Sequence, residues 1–284
     1  MVGYSHLTDR TRLVETTLSL IVCCAISQAA SAINVESLIQ KSVVANEADW
    51  NAAPKYSHIE RDHTGATTKT YKVTMVLGTP YHRLIELNNR PLSPEENAKE
   101  QQKFEQILAQ RKRESADERA KRIAKYERDR KRDHLMMEQL TQAFEFKLLG
   151  QRTLSSYQVY VLRATPRPGY KPPNMETQVL PGMRGELWID QKTFQWVKVT
   201  AQVVRPVSIE GFLARVEPGT RFELEKMPVD DHIWLVKHFS MRSSAKVLYM
   251  FNRSDQEDDT FSDYRKITDS SDSTLAPRAT AKSK

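Results

Sequence analysis

Cysteine is nearly absent. Cys23 and Cys24 are the only two in 284 residues, and both lie in a segment expected to be removed. The mature chain would then hold no disulfide and no thiolate metal site, so an apolar core must hold it together. Glycine is scarce too, nine in all, and none builds a phosphate-cradling loop. His58, His63, His82, His134, His232 and His238 form no His-Glu-x-x-His zinc motif, and no Gly-x-Ser-x-Gly elbow marks a hydrolase. His232 and His238 could approach across a bend, but strand and surface histidines far outnumber ligands. With no nucleophile–base constellation, an envelope hydrolase is the weakest of three readings, and no enzyme, metal or cofactor is expected.

Long apolar runs are also missing. The longest, from Leu13 to Ala25, follows Arg10 and Arg12 and leads to Ala30-Ser31-Ala32, a small-x-small cleavage site. This is the layout of a secretory signal peptide over 1–32, with an apolar core too short to anchor permanently. Glu15 is unusual in such a core, and a first helix of a cytosolic domain is the alternative. Val22 before Cys23 disfavours a lipid anchor, so the mature chain is expected to begin near Ile33, in the periplasm. Arg10 and Arg12 balance Asp9 and Glu15, so the net charge of +7 belongs to the mature part. Outside the cytoplasm that excess suits anionic headgroups, acidic envelope polymers or plain solubility rather than nucleic acid.

The roughly 250 mature residues suffice for one large domain or two small ones. Asn34 to Trp50 reads as an amphipathic helix, with Val35, Leu38, Ile39 and Val43 at helical spacing. Tyr71, Val73, Met75 and Leu77 alternate as in a half-buried strand, Gly78-Thr79-Pro80 turns the chain, and Tyr81–Leu87 continues as a strand before Asn88-Asn89. Ser93-Pro94-Glu95-Glu96 and Ser115-Ala116-Asp117-Glu118 are capping boxes in a stretch with no glycine or proline between Glu95 and Leu149. They predict a helical hairpin, arms near 94–113 and 116–146. Beyond the proline-rich loop at 165–173, strand signals at 185–190, 194–204, 221–226, 233–242, 245–252 and 261–267 suggest an antiparallel meander. The tail, 268–284, is expected to be disordered.

If Gln191-Lys192-Thr193 form a loop, Trp188 faces Trp196, Glu186 faces Lys198, and Leu187 and Val197 share the other face. One face is then either a pocket wall or ordinary sheet packing. Asp230-Asp231 and Asp255 to Asp259 read as solvated turns, and Asn252-Arg253-Ser254 as a chance sequon. The stretch from Arg111 to Arg132 concentrates basic charge with interleaved acids. It reads as a salt-bridged arm projecting into solvent, or as a contact for anionic lipid or a partner through Arg119, Lys121, Arg122 and Lys125.

The signal segment, amphipathic first helix and meander together resemble the LolA-like family of periplasmic lipoprotein-sorting and lipid-carrier proteins. The residues that carry the likeness are Gly185–Asp190 with Phe194–Val199, Gly219–Glu225, Ile233-Trp234-Leu235-Val236 and Tyr264-Arg265-Lys266-Ile267. The resemblance implies an α+β domain over 33–267: one strongly curved antiparallel sheet, an incomplete barrel lidded by helices, here with a long helical insertion at 94–146. It implies a cavity for acyl chains, since lipid tails need a dry surface and an unclosed sheet can admit them. No residue matches the family's gating arginine. The expected function is a non-enzymatic carrier or sensor of a lipid or lipoprotein acyl chain, with Leu187, Ile189, Val197, Val199, Phe222, Trp234 and Phe239 as wall. The alternative is an envelope regulatory or scaffold protein that uses the same fold to bind another protein.

Overall fold

The computed structural model describes residues 33–209, 214–247 and 251–268. Residues 1–32, expected to be an export signal, and the tail from 269 onward lie outside the described residues. Helix α1 (Val35–Ala52) begins where the Asn34 side chain accepts from the Ser37 amide at 2.9 Å, with Glu36 in its first turn. Strands β1 (Tyr56–Thr64), β2 (Thr67–Val76), β3 (Thr79–Leu87) and the two-residue β4 (Arg90–Pro91) follow. Leu77-Gly78 and Asn88-Asn89 join β2 to β3 and β3 to β4 with two successive positive φ angles each, 48° and 94°, then 50° and 61°. Such turns match the twist of the strands they connect.

Two capping boxes start α2 (Pro94–Arg113) and α3 (Ala116–Ala143), within three residues of the predicted hairpin arms. Then come β5 (Phe144–Leu154), β6 (Tyr157–Pro166), a 3-10 segment (Glu176–Gly182), β7 (Met183–Asp190) and β8 (Trp196–Val203). After short β9 (Val207–Ile209) and β10 (Ala214–Val216), the chain closes with β11 (Arg221–Pro228), β12 (Trp234–Val247) and β13 (Phe251–Lys266).

All described pairings are antiparallel, in the order β4-β3-β2-β1-β13-β12-β11-β8-β7-β6-β5, with β9 and β10 branching from β12. The sheet does not close: β4 and β5 are the free edges of the main path, and β9 is the free edge of the branch. The last strand lies between the first and β12, so β13 seams the two ends of the chain together. The 3-10 segment and the end of α3 cover part of one face, with Leu180, Val179, Ala143, Phe144, Met183 and Val203 as the buried cluster. A second cluster joins Val159, Val161, Val197 and Trp234. Fully burying a side chain such as Leu180 contributes about 2 kcal/mol.

The fold expected from the sequence is present: one large open antiparallel sheet with helices and an inserted helical hairpin. Several details differ. Strand β1 escaped prediction because charged and aromatic residues occupy both its faces. The second hairpin arm stops at Ala143 instead of 146; Phe144, Phe146 and Leu148 alternate on one face of β5 and are read as strand once the sheet is there to receive them. The stretches 233–242 and 245–252 are not two strands: β12 runs unbroken to Val247, and Asn252 belongs to β13. Residues 255–259 are not a turn but part of β13, all paired with β12 and 257–259 paired with β1 as well.

The Trp188 hairpin has another register. Trp188 faces Lys198, Leu187 faces Val199 and Ile189 faces Trp196. The cause is the turn. The Asp190 carboxylate accepts from the Lys192 and Thr193 amides at 3.1 and 2.8 Å, and its backbone pairs with Gln195. The loop is therefore one residue longer than expected, and Val197 becomes a bulge that shifts everything beyond it.

The helical arm does not project freely. Arg111 donates to the carbonyls of Val76 and Thr79 at 2.8 and 3.1 Å, and Arg122 to Leu77 O and Thr79 Oγ1 at 3.1 and 2.7 Å. Both clamp the β2–β3 turn. Gly78 is pressed there against Ile123; a Cβ would lie 2.7 Å from its Cδ1. The segment between Lys112 and Arg122 is thus anchored at its base.

Candidate functional site

Strand pairing places one row of apolar side chains straight across the sheet: Leu162, Leu187, Val199, Leu224 and Phe239 stand opposite one another in turn on β6, β7, β8, β11 and β12. The next row on the same face runs Ala201, Phe222 and Met241. At the β6–β7 end the row is fully buried. Val199, Leu224, Phe239, Phe222 and Met241 are only half-buried, although they sit on interior strands. They form an apolar strip bordering the cluster that holds Phe146 and Phe222. Beyond that cluster, Ile39 and Val43 of α1 with Phe144 and Phe146 of β5 line a groove of about 800 Å³.

Of the seven wall residues read from the sequence, Val199, Phe222 and Phe239 meet in this strip, with Leu187 at its buried end. Ile189 is completely buried, and Val197 and Trp234 belong to the second core cluster, so those three are packing residues. Leu224 and Met241 were missed. The alternation Phe222-x-Leu224 and Phe239-x-Met241 was the available signal.

The strip ends in carboxylates. Asp259 stands opposite Phe239 and Glu257 opposite Met241, and across the seam Asp62 faces Asp259. Asp259 is 9% exposed and its Oδ1 has no hydrogen-bond partner. Burial, then the neighbouring Glu257, Asp62 and Glu60, push its carboxyl up to about 7. Glu60 lies 3.5 Å from His82 and 4.0 Å from His58, whose buried Nδ1 is likewise unpartnered. Burial holds the His58 pKa below its ordinary value.

The opposite face is polar. Arg184, Gln202, Arg221, Arg242 and Gln256 stand in one register row, along a groove of about 840 Å³. Arg221 directly opposes Arg242, an arrangement that costs stability in a sheet. The neighbouring row carries Arg163, Glu186 and Glu223, the last held by Lys198 at 2.5 Å.

Helix α1 is locked to the sheet by a buried ion pair. The Lys226 ammonium meets the Asp49 carboxylate and Asn46 Oδ1, the latter at 2.7 Å, while Asp49 also accepts from Gln195 and the Trp234 amide. Burial pushes the Asp49 carboxyl up and the Lys226 ammonium down, against their mutual attraction. Glu47, His134 and Glu138 bring their ligating atoms within 4.8 Å of one another, the one such trio among the described residues. The His134–Glu47 contact is a 2.6 Å hydrogen bond, and His134 stacks on Trp50 at 4.4 Å; the trio reads as an α1–α3 clasp. In the basic arm, Arg122 is drawn inward by Glu114 and the β2–β3 turn. Arg119, Lys121 and Lys125 are exposed, Lys125 pairing with Asp129 at 2.7 Å.

No family model and no curated protein matches the chain. Among solved structures it is similar to a LolA superfamily protein from Nitrosomonas europaea, at 11% identity and TM-score 0.32, over 86% of this chain and 99% of that one. It is similar to a putative outer membrane lipoprotein-sorting protein domain from Vibrio parahaemolyticus, at 9% identity and TM-score 0.30, over 83% and 97%. The Pseudomonas aeruginosa MucA/MucB complex also matches, at 11% identity and TM-score 0.24, over 78% and 93%. What the site holds must be read from its own side chains.

Proposed function

We propose that the chain is an exported, non-enzymatic carrier or sensor of the periplasm that holds an acyl chain of a lipid or lipoprotein against its apolar strip. What supports this reading is the half-buried state of Val199, Leu224, Phe239, Phe222 and Met241, contiguous in register and on interior strands. Apolar positions inside a sheet ordinarily close against a helix; left open, they offer hydrocarbon a dry surface. With this reading go a signal at 1–32, one domain over 33–267 and a tail at 268–284. Exposed Arg119, Lys121 and Lys125 are then the contact with an anionic membrane surface.

The test is mass spectrometry of organic extracts from protein purified without detergent. Reproducible co-purified lipid is expected, and it should vanish in Leu224→Glu while the fold persists by circular dichroism. A stoichiometric protein partner without lipid would overturn the carrier in favour of the scaffold. One observation favours that second reading: the arginine row on the polar face, where Arg221 and Arg242 repel unless an acidic segment lies across them.

A further inference from the structure

The apolar strip does not run out into solvent or into a positive rim. It runs into Asp259 and Glu257, directly opposite Phe239 and Met241, with Cβ separations of about 5 Å for such pairs. Asp62 and Glu60 add two more carboxylates from β1. Among the described residues no lysine or arginine forms an ion pair with these four. Lys69, in register with Asp62 on β2, is exposed, and the histidines contact Glu60. Strand β12 faces these two carboxylates with Phe239 and Met241. A carboxylate oxygen more than nine-tenths buried and without a partner is costly, and a strand interior is a poor place to keep one.

We infer that the occupant of the strip carries a cation, an amine or guanidinium, at the start of its hydrocarbon, and that Asp259 and Glu257 receive it. This rests on the strip being the binding surface. A fatty acid or phospholipid phosphate at the same place would add like charge to four carboxylates. A metal ion is a poorer fit, because the one close trio of ligating atoms among the described residues lies elsewhere, at Glu47, His134 and Glu138. An ammonium needs no such convergence; it takes two or three oxygens while its chain lies on Phe239 and Leu224. The Asp259 carboxyl, pushed up to about 7, still holds a proton near neutrality, which an incoming cation displaces, so binding strengthens as pH rises through that value.

The experiment is calorimetric titration of the full chain with dodecylamine, 1-dodecanol and dodecanoate. Dodecylamine is expected to bind about tenfold more tightly than dodecanol at pH 8, with an affinity that rises about tenfold from pH 6 to pH 8. Asp259→Asn or Glu257→Gln should abolish that preference and its pH dependence. If either variant fails to fold, the other and the pH profile of the unaltered protein still decide. Equal binding of all three, or preference for dodecanoate, overturns the cation while the strip reading stands. Failure of all three overturns both.

Discussion

Asp49 and Lys226 show how much a single pair can govern. Each is buried, and they are 177 residues apart in sequence. Asp49→Ala would leave an ammonium in the interior without its counter-charge, and a loss of about 3–5 kcal/mol is expected, read as a lowered denaturant midpoint. The double variant Asp49→Leu with Lys226→Met should recover most of it, since no charge is then stranded. Asp259 supplies a pH signature of its own. Its carboxyl is pushed up to about 7 in the fold, against an ordinary 3.8, so the folded state holds a proton that the unfolded chain gives up. That contribution is complete below about pH 4 and is lost as pH rises through 7. Asp259→Asn is expected to flatten the decline in stability between pH 5 and pH 8; an unchanged slope would refute the assignment. Neither pair nor carboxyl was legible in the sequence. Lys226 looked like any strand lysine, and Asp259 like one of a run of turn acids, because both are defined by neighbours that only the fold supplies.

At the scale of elements, legibility followed the strength of local signals. The helical hairpin could be read to within three residues because its two capping boxes are local chemistry, with Ser93 and Ser115 each accepting from an amide three residues on. Strand β5 could not, since Phe144, Phe146 and Leu148 continue a helical-looking composition until a sheet edge is there to pair with. The β7–β8 register hung on one carboxylate, Asp190, and the reading of Val197 as a wall residue failed with it. The same capping logic makes the arm testable. Ser115→Ala should cost about 1 kcal/mol through the cap alone. Arg122→Ala should cost about 2 kcal/mol, because it removes the donors to Leu77 O and Thr79 Oγ1 and leaves Glu114 without its partner. Hydrogen exchange should separate them: Arg122→Ala deprotects both the tip of the arm and Leu77–Thr79, whereas Ser115→Ala loosens only the start of α3. Deprotection confined to the helices in both variants would mean the clamp does not hold the turn.

The whole molecule is organised around its seam. Strand β13 is hydrogen-bonded to β1 along one side and to β12 along the other, so Tyr56 pairs with Lys266 across almost the entire described chain. Without that strand, β4-β3-β2-β1 and β12-β11-β8-β7-β6-β5 are two separate sheets with two additional raw edges. The permanent edges are guarded: β4 is two residues long and holds a proline, and β5 carries a bulge and exposed charge. The edges at the seam are longer, nine residues in β1 and fourteen in β12. Closing a loop of roughly 200 residues is slow, so refolding is expected on the scale of milliseconds to seconds, with β1 amides acquiring protection last in pulsed hydrogen exchange. Protection of β1 simultaneous with β2 and β3 would contradict this order. The consequence concerns time more than stability: the last strand made is the one that joins the halves, and until it arrives each half is a template for the wrong neighbour.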